Sequence, residues 1–158
     1  MPAMRLLFPL ALACLILAPA AARAQRERLS PDDLDFVQKN WPDAKLTNTG
    51  IRYIVEKEGV GEPPNAGDKV SVIYVGRLLN GSVFDKNLDR QHPFTFRVER
   101  MTVISGWDQV LELMKTGEKR LVIIPSDFAY GTRGMLPGIP PDSTLVFEME
   151  LLKIERVE

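Results

Sequence analysis

Val103-Ile104-Ser105-Gly106-Trp107-Asp108-Gln109-Val110-Leu111-Glu112-Leu113-Met114 carries one helical apolar stripe inside a long run of strand-like sequence. Trp107, Val110, Leu111 and Met114 fall at i, i+3, i+4 and i+7, the spacing of a helix with a single buried face. Gly117 follows as the expected stop. Beyond it, Lys119 to Ile124 reads as a strand closed by Pro125. Residues 126–143 hold Gly131, Gly134, Gly138, Pro137, Pro140 and Pro141, which predicts a long, stiffened loop. Thr144 to Ile154 is the last strand, with Leu145, Phe147, Met149 and Leu151 on one face.

Upstream of the helix the period is two. Phe94 and Phe96 alternate with Thr95 and Arg97. Asp68 to Leu79 is a strong strand with Val70, Val72 and Tyr74 on one side. Asn80-Gly81 is a two-residue hairpin signal, and Val83-Phe84 begins the return. Ile51 to Lys57 is a further strand, followed by a Gly/Pro loop from Gly59 to Pro64. Several antiparallel strands with one amphipathic helix predict an α+β domain over residues 51–158. Its sheet has that helix to cover its apolar face.

Residues 25–50 read as an N-terminal extension, too short to build a core of its own. Ser30-Pro31-Asp32-Asp33 is a helix start, with a serine cap, proline in the first turn and acids at the positive end. The helix is expected to run to about Lys39, with Leu34 and Val37 on one side. Residues 1–24 read as an export signal: Arg5, then the apolar run Leu6–Ala18, then Ala22-Arg23-Ala24 before Gln25. The run is shorter than the roughly 20 residues of a membrane span. Cys14 sits within it. Leu12 is large where lipid attachment calls for a small residue, so a periplasmic product is expected over a lipid-anchored or fully secreted one. Cleavage would leave no cysteine, which fits an oxidising compartment.

The chain has 158 residues, 45% apolar and 26% charged, which fits one globular domain plus an appendage. Net charge is −1, and loss of Arg5 and Arg23 takes it to −3, so no basic field for nucleic acid exists. One cysteine and one histidine exclude a disulfide framework and a Cys/His zinc site. The histidine, His92, lies in a polar loop and reads as a surface residue. Asp108, Glu112 and Lys115 read as the wet face of the helix, and Asp127 as a turn or cap residue. The rings of Tyr74, Phe84, Phe94, Phe96, Trp107, Tyr130 and Phe147 either fill the core or line a pocket. Asp85 is either a turn carboxylate or a group on that pocket's rim.

Residues 68–155 closely resemble the FKBP-type peptidyl-prolyl isomerases. The resemblance rests on an ordered series. It runs Tyr74-Val75-Gly76, Asn80-Gly81 with Val83-Phe84-Asp85, Pro93-Phe94-Thr95-Phe96, Val103-Ile104-Ser105-Gly106-Trp107, Phe128-Ala129-Tyr130-Gly131, Ile139-Pro140-Pro141 and Thr144-Leu145-Val146-Phe147. It implies a twisted antiparallel sheet half-wrapped around one short helix. It also implies a pocket floored by Trp107 and walled by Tyr74, Phe84, Phe94, Val103, Ile104 and Phe147. Tyr130 would give a hydroxyl and Ile139 a backbone N–H to substrate carbonyls, with Asp85 a polar group at the edge. Tyr74, Phe84, Asp85, Trp107, Tyr130 and Phe147 are thereby the catalytic candidates, and Phe94, Val103, Ile104 and Ile139 the substrate-binding ones. The implied activity is rotation about X–Pro bonds in partly folded polypeptides, open to macrolide inhibitors and needing no cofactor or metal. The alternatives are a binding module or a chaperone of the same fold without turnover. Met135 and Gly138 depart from common family residues beside the pocket. Asp85 and Pro93 are too close in sequence to admit the flap insertion of chaperone-like members.

Overall fold

The computed structural model describes residues 27–157. The export signal read at residues 1–24, with Cys14, lies outside the described residues. In chain order the elements are α1 (Pro31–Asn40), β1 (Lys45–Leu46), β2 (Arg52–Lys57), β3 (Lys69–Leu78), β4 (Val83–Asn87), β5 (Phe94–Arg97), α2 (Ser105–Leu111), β6 (Lys119–Ile124) and β7 (Leu145–Glu155). Among the described residues no helix is long and apolar enough to cross a membrane.

All seven strands join one antiparallel sheet in the order β1-β2-β6-β7-β3. The far edge of β3 is shared: β5 pairs with Lys69–Val72 and β4 with Tyr74–Arg77. Strict alternation along β6 and β7 sorts the side chains. Val122, Ile124, Leu145, Phe147, Met149 and Leu151 turn to the concave face and pack on Trp107, Val110 and Leu111 of α2.

The opposite face is apolar at one end as well. Ile123 and Val146 are buried there against Leu29 and Val37, with Leu34 and Trp41 alongside. The expectation that one helix covers the sheet therefore needs amending: α1 covers a second face. α1 forms where its sequence predicts. The Asp33 N–H donates to Ser30 Oγ at 3.2 Å, Pro31 opens the helix, and Lys39 sits in its last turn. The rest of the convex face is screened by ion pairs, including Arg90–Glu150, Lys119–Glu148 and Arg77–Glu148.

Four features differ from the sequence reading. The stripe extends to Met114, but α2 ends at Leu111. After the Glu112 N–H, which still reaches Asp108, the following two bond three residues back, Leu113 to Val110 and Met114 to Leu111 at 3.0 Å each, so Met114 stays fully buried outside the helix. Gly117 is not the helix stop; it turns with φ of +79° and gives its N–H to the Leu151 carbonyl at 2.7 Å. The 126–143 loop contains two turns of 3-10 helix, Ser126–Phe128 and Gly131–Arg133, and a reciprocal Met135–Ile139 pair. The two-residue strand β1 was not foreseen, because nothing in so short a segment marks it.

Between α2 and β6 lies a buried ion pair, Glu118 with Arg120. Arg120 also donates to the Leu113 carbonyl at 2.6 Å and lies 4.5 Å over the Tyr53 ring. Glu118 accepts the Lys115 N–H at 2.9 Å. Charges this deep are tolerated because they pair with each other and each has a second polar partner, although Arg120 Nη1 is left without a hydrogen bond.

Candidate active site

Where β3, β4, β5 and α2 meet, a cavity of about 150 Å³ opens on the concave side. A bulge builds its first wall. Gly76 pairs with Asp85 and the next residue, Arg77, pairs with Val83, so Phe84 is the extra residue in β4. By simple alternation Phe84 and Asp85 would face opposite ways; a bulge re-aims one of them. Both line the cavity.

Gly76 makes that possible. A Cβ there would lie 2.7 Å from Phe84 Cζ and 2.7 Å from Phe147 Cε1. Gly106 does the same for the floor, since a Cβ there would fall 2.5 Å from Ile124 Cγ2. Only glycine lets the start of α2 lie so close to β6, and Trp107 is the next residue.

The rings meet edge to face, the arrangement their quadrupoles favour. Trp107 lies 4.8 Å from Tyr74 and 5.2 Å from Phe147, with ring planes 83° and 85° apart. Phe84 meets Phe147 at 5.6 Å and Phe94 meets Trp107 at 6.1 Å. Polar groups are few. The Tyr74 hydroxyl donates to Asp85 Oδ2 at 2.6 Å. Burial, then the bond to Asp85 and its charge, push the Tyr74 hydroxyl well above the ordinary tyrosine range. Burial, then the Asp85 charge, also raise the Tyr130 hydroxyl. Both phenols therefore remain protonated donors at neutral pH. Tyr130 stands before the 3-10 turn Gly131–Arg133, and its hydroxyl has no partner among the described residues.

Nine of the ten expected residues line this one cavity: Tyr74, Phe84, Asp85, Phe94, Val103, Ile104, Trp107, Tyr130 and Phe147. Ile139 does not. Its side chain is 1% exposed in the core, and its N–H is already given to the Met135 carbonyl at 2.9 Å. The expected role of Ile139 as a backbone donor to substrate is thus corrected. The backbone donor on the cavity wall is Ile104. It is the N-cap of α2, and its N–H has no acceptor among the described residues, as helix starts leave such groups unpaired. Thr102 also lines the cavity. Nothing in its sequence surroundings signals that, because an irregular segment carries no period.

The acids of α2 are not simply a wet face. Asp108 accepts the Glu99 N–H at 2.9 Å, pinning the segment that leads to Thr102, Val103 and Ile104. Glu112 is pushed up to about 7, first by the hydrogen bond with Glu99, then by burial and by the Glu99 and Asp108 charges. His92 is an exposed side chain beside Asp89, and Asp127 is exposed near Arg28.

Known proteins match this chain closely. The profile of the FKBP-type peptidyl-prolyl cis-trans isomerase family matches residues 61–152. FK506-binding protein 4 of Dictyostelium discoideum is 43% identical over 118 residues, 73% of this chain and 32% of that protein. FK506-binding protein 1 of the same organism is 45% identical over 103 residues, 65% of this chain and 96% of that protein. The chain therefore spans about a third of the first and nearly all of the second. A crystal structure of a peptidyl-prolyl cis-trans isomerase from Pseudomonas syringae superposes with a TM-score of 0.69 at 38% identity, covering 88% of this chain and 96% of that one. The agreement extends over the strands, helix and loops that build the cavity, and the chain belongs to the FKBP-type peptidyl-prolyl cis-trans isomerase family.

Proposed function

We propose that this chain catalyses cis-trans rotation about X–Pro peptide bonds of polypeptides that are still folding, and that it does so in the aromatic cavity. The observation that carries the reading is the cavity itself. It is lined by aromatic rings, with two free donors on its wall, the Tyr130 hydroxyl and the Ile104 N–H. The uncatalysed barrier, about 18–20 kcal/mol, is the loss of amide resonance. The planar amide is polar, and twisting it removes that charge separation. The aromatic wall disfavours the planar form relative to the twisted one. The two donors hold the flanking carbonyls while the bond turns. Each tenfold acceleration requires about 1.4 kcal/mol of preference for the twisted state. No proton transfer is needed, so Asp85 acts by orienting Tyr74.

The export signal read in residues 1–24 supports a periplasmic site of action on exported clients. The similarity to FK506-binding proteins supports binding of FK506-like macrolides in the same cavity.

The test is protease-coupled isomerisation of a short proline peptide by the purified protein, with and without FK506. Acceleration abolished by the macrolide is the expected result. A folded protein with no acceleration would leave a binding module in its place.

A further inference from the structure

The loop that carries Tyr130 leaves the sheet at Pro125, after β6, and returns at Thr144, before β7. The segment from Arg28 through α1 touches both of its feet. At the first foot, the Arg28 guanidinium lies 3.8 Å from the Asp127 carboxylate. At the second, the Thr144 hydroxyl donates to Asp33 Oδ2 at 2.7 Å, and Thr144 is only 5% exposed. Ile123 and Val146, the strand residues just inside the two feet, are the ones that close on Leu29 and Val37.

The two limbs of the loop are also joined. The Asp142 N–H donates to the Gly131 carbonyl at 2.9 Å, and Gly131 is the residue after Tyr130. Asp142 holds φ of +57°. Aspartate is one of the few non-glycine residues that tolerate this left-handed conformation at a turn, and the bond to Gly131 holds the turn in place. Here the anchor is Thr144, two residues on. Of the two tethers the exposed Arg28–Asp127 pair counts for little. The half-buried hydroxyl-to-carboxylate bond counts for more.

We infer that Asp33 is a positioning residue for isomerisation: its bond to Thr144 fixes the returning limb of the loop and, through Asp142 and Gly131, the place of the Tyr130 hydroxyl at the cavity. Asp33 and α1 lie outside residues 61–152, the part matched by the family profile. The inference rests on the isomerase reading above.

The experiment is steady-state isomerisation by the full chain with Asp33→Ala, Thr144→Val, both together, and Asp33→Asn. Each variant is first shown to be folded by far-ultraviolet circular dichroism and a urea titration, and assayed in the cold. The single variants should each lower kcat/KM about tenfold, with the loss in kcat, which lies within the range that small misplacements far from the chemistry produce. The double variant should be no worse than either single one, because both remove the same bond. Asp33→Asn, which keeps an acceptor, should retain wild-type turnover. If folded Asp33→Ala turns over at the wild-type rate, or if the two losses multiply, the positioning role is overturned. Absence of wild-type activity in the same assay would instead sink the isomerase reading, and the inference with it.

Discussion

A methyl group at residue 76 would meet Phe84 and Phe147 at 2.7 Å each, so a ring that lines the cavity must shift to admit it. Gly76→Ala is therefore an overpacking change placed in the site itself. It should lower stability by about 1–3 kcal/mol and lower kcat/KM more than stability, because the displaced ring is a pocket wall. Urea unfolding and peptide isomerisation measured on the same preparation check this. Unchanged kcat/KM in a folded variant would mean that the ring positions are not what the reaction requires. At this scale the sequence was informative about side chains and less so about backbone. Aromatics and glycines announce themselves by type, and nine of the expected residues meet at one cavity. Which backbone N–H is free depends on pairing across a loop. Ile139 is spent on Met135 while Ile104 is left open at a helix start, and neither fact is written in the residue types.

At the scale of elements, α2 is a seven-residue helix that does two things. Its inner face floors the cavity, and Asp108 on its outer side, with Glu112 at its C-cap, holds Glu99 at the head of the segment leading to Ile104. Glu99, with φ of +56°, gives its N–H to Asp108 while its carboxyl shares a hydrogen bond with Glu112. The stability consequence has a definite sign. Glu112 has an ordinary value of 4.5 and is raised to about 7 in the fold. Its protonated form is the one the fold prefers, so its contribution is complete below 4.5 and lost as pH climbs through about 7. The lowered carboxylates, Glu27, Asp68, Asp89 and Glu155, act the other way and below their ordinary values. The interval from about pH 5 to 8 thus isolates Glu112 among the shifted carboxylates other than its neighbour Asp108. Glu99→Gln removes the charge that raises it. The urea midpoint of the wild type should fall across this interval, and that of the variant should fall less and lie higher at the alkaline end. Parallel curves would exclude the coupling. The helix stripe was legible because packing against β6 and β7 imposes it. The acid cluster was not, because Glu99 reaches it only through an irregular connection with no period to read.

At the scale of the molecule, the sheet is a shared wall between two apolar layers. Ile124 and Phe147 face α2, and their neighbours Ile123 and Val146 face α1. Successive residues of the same two strands thus serve both layers, so neither can lose its packing without disturbing backbone that the other uses. Strand alternation in β6 and β7 hinted at this, since Leu121 to Ile124 is apolar on both sides. The identity of the cover did not follow from it, because α1 is distant in sequence and carries only a short apolar stripe. The prediction is that both layers unfold together, as one domain of this size ordinarily does. The chain supplies one tryptophan for each layer: Trp107 in the floor of the cavity and Trp41 at the end of α1. With Trp41→Phe the fluorescence reports the inner layer, and with Trp107→Phe it reports the outer one. In each variant the fluorescence transition in urea should coincide with that of far-ultraviolet circular dichroism. Val37→Ala, which empties space at a site 1% exposed, should lower stability by about 2 kcal/mol and shift both probes equally. A Trp41 signal that changes before the circular dichroism would show α1 peeling from a sheet that stands without it. The bond from Asp33 to Thr144 would then be broken while the cavity remained, and turnover at that urea concentration would report directly on what the brace contributes.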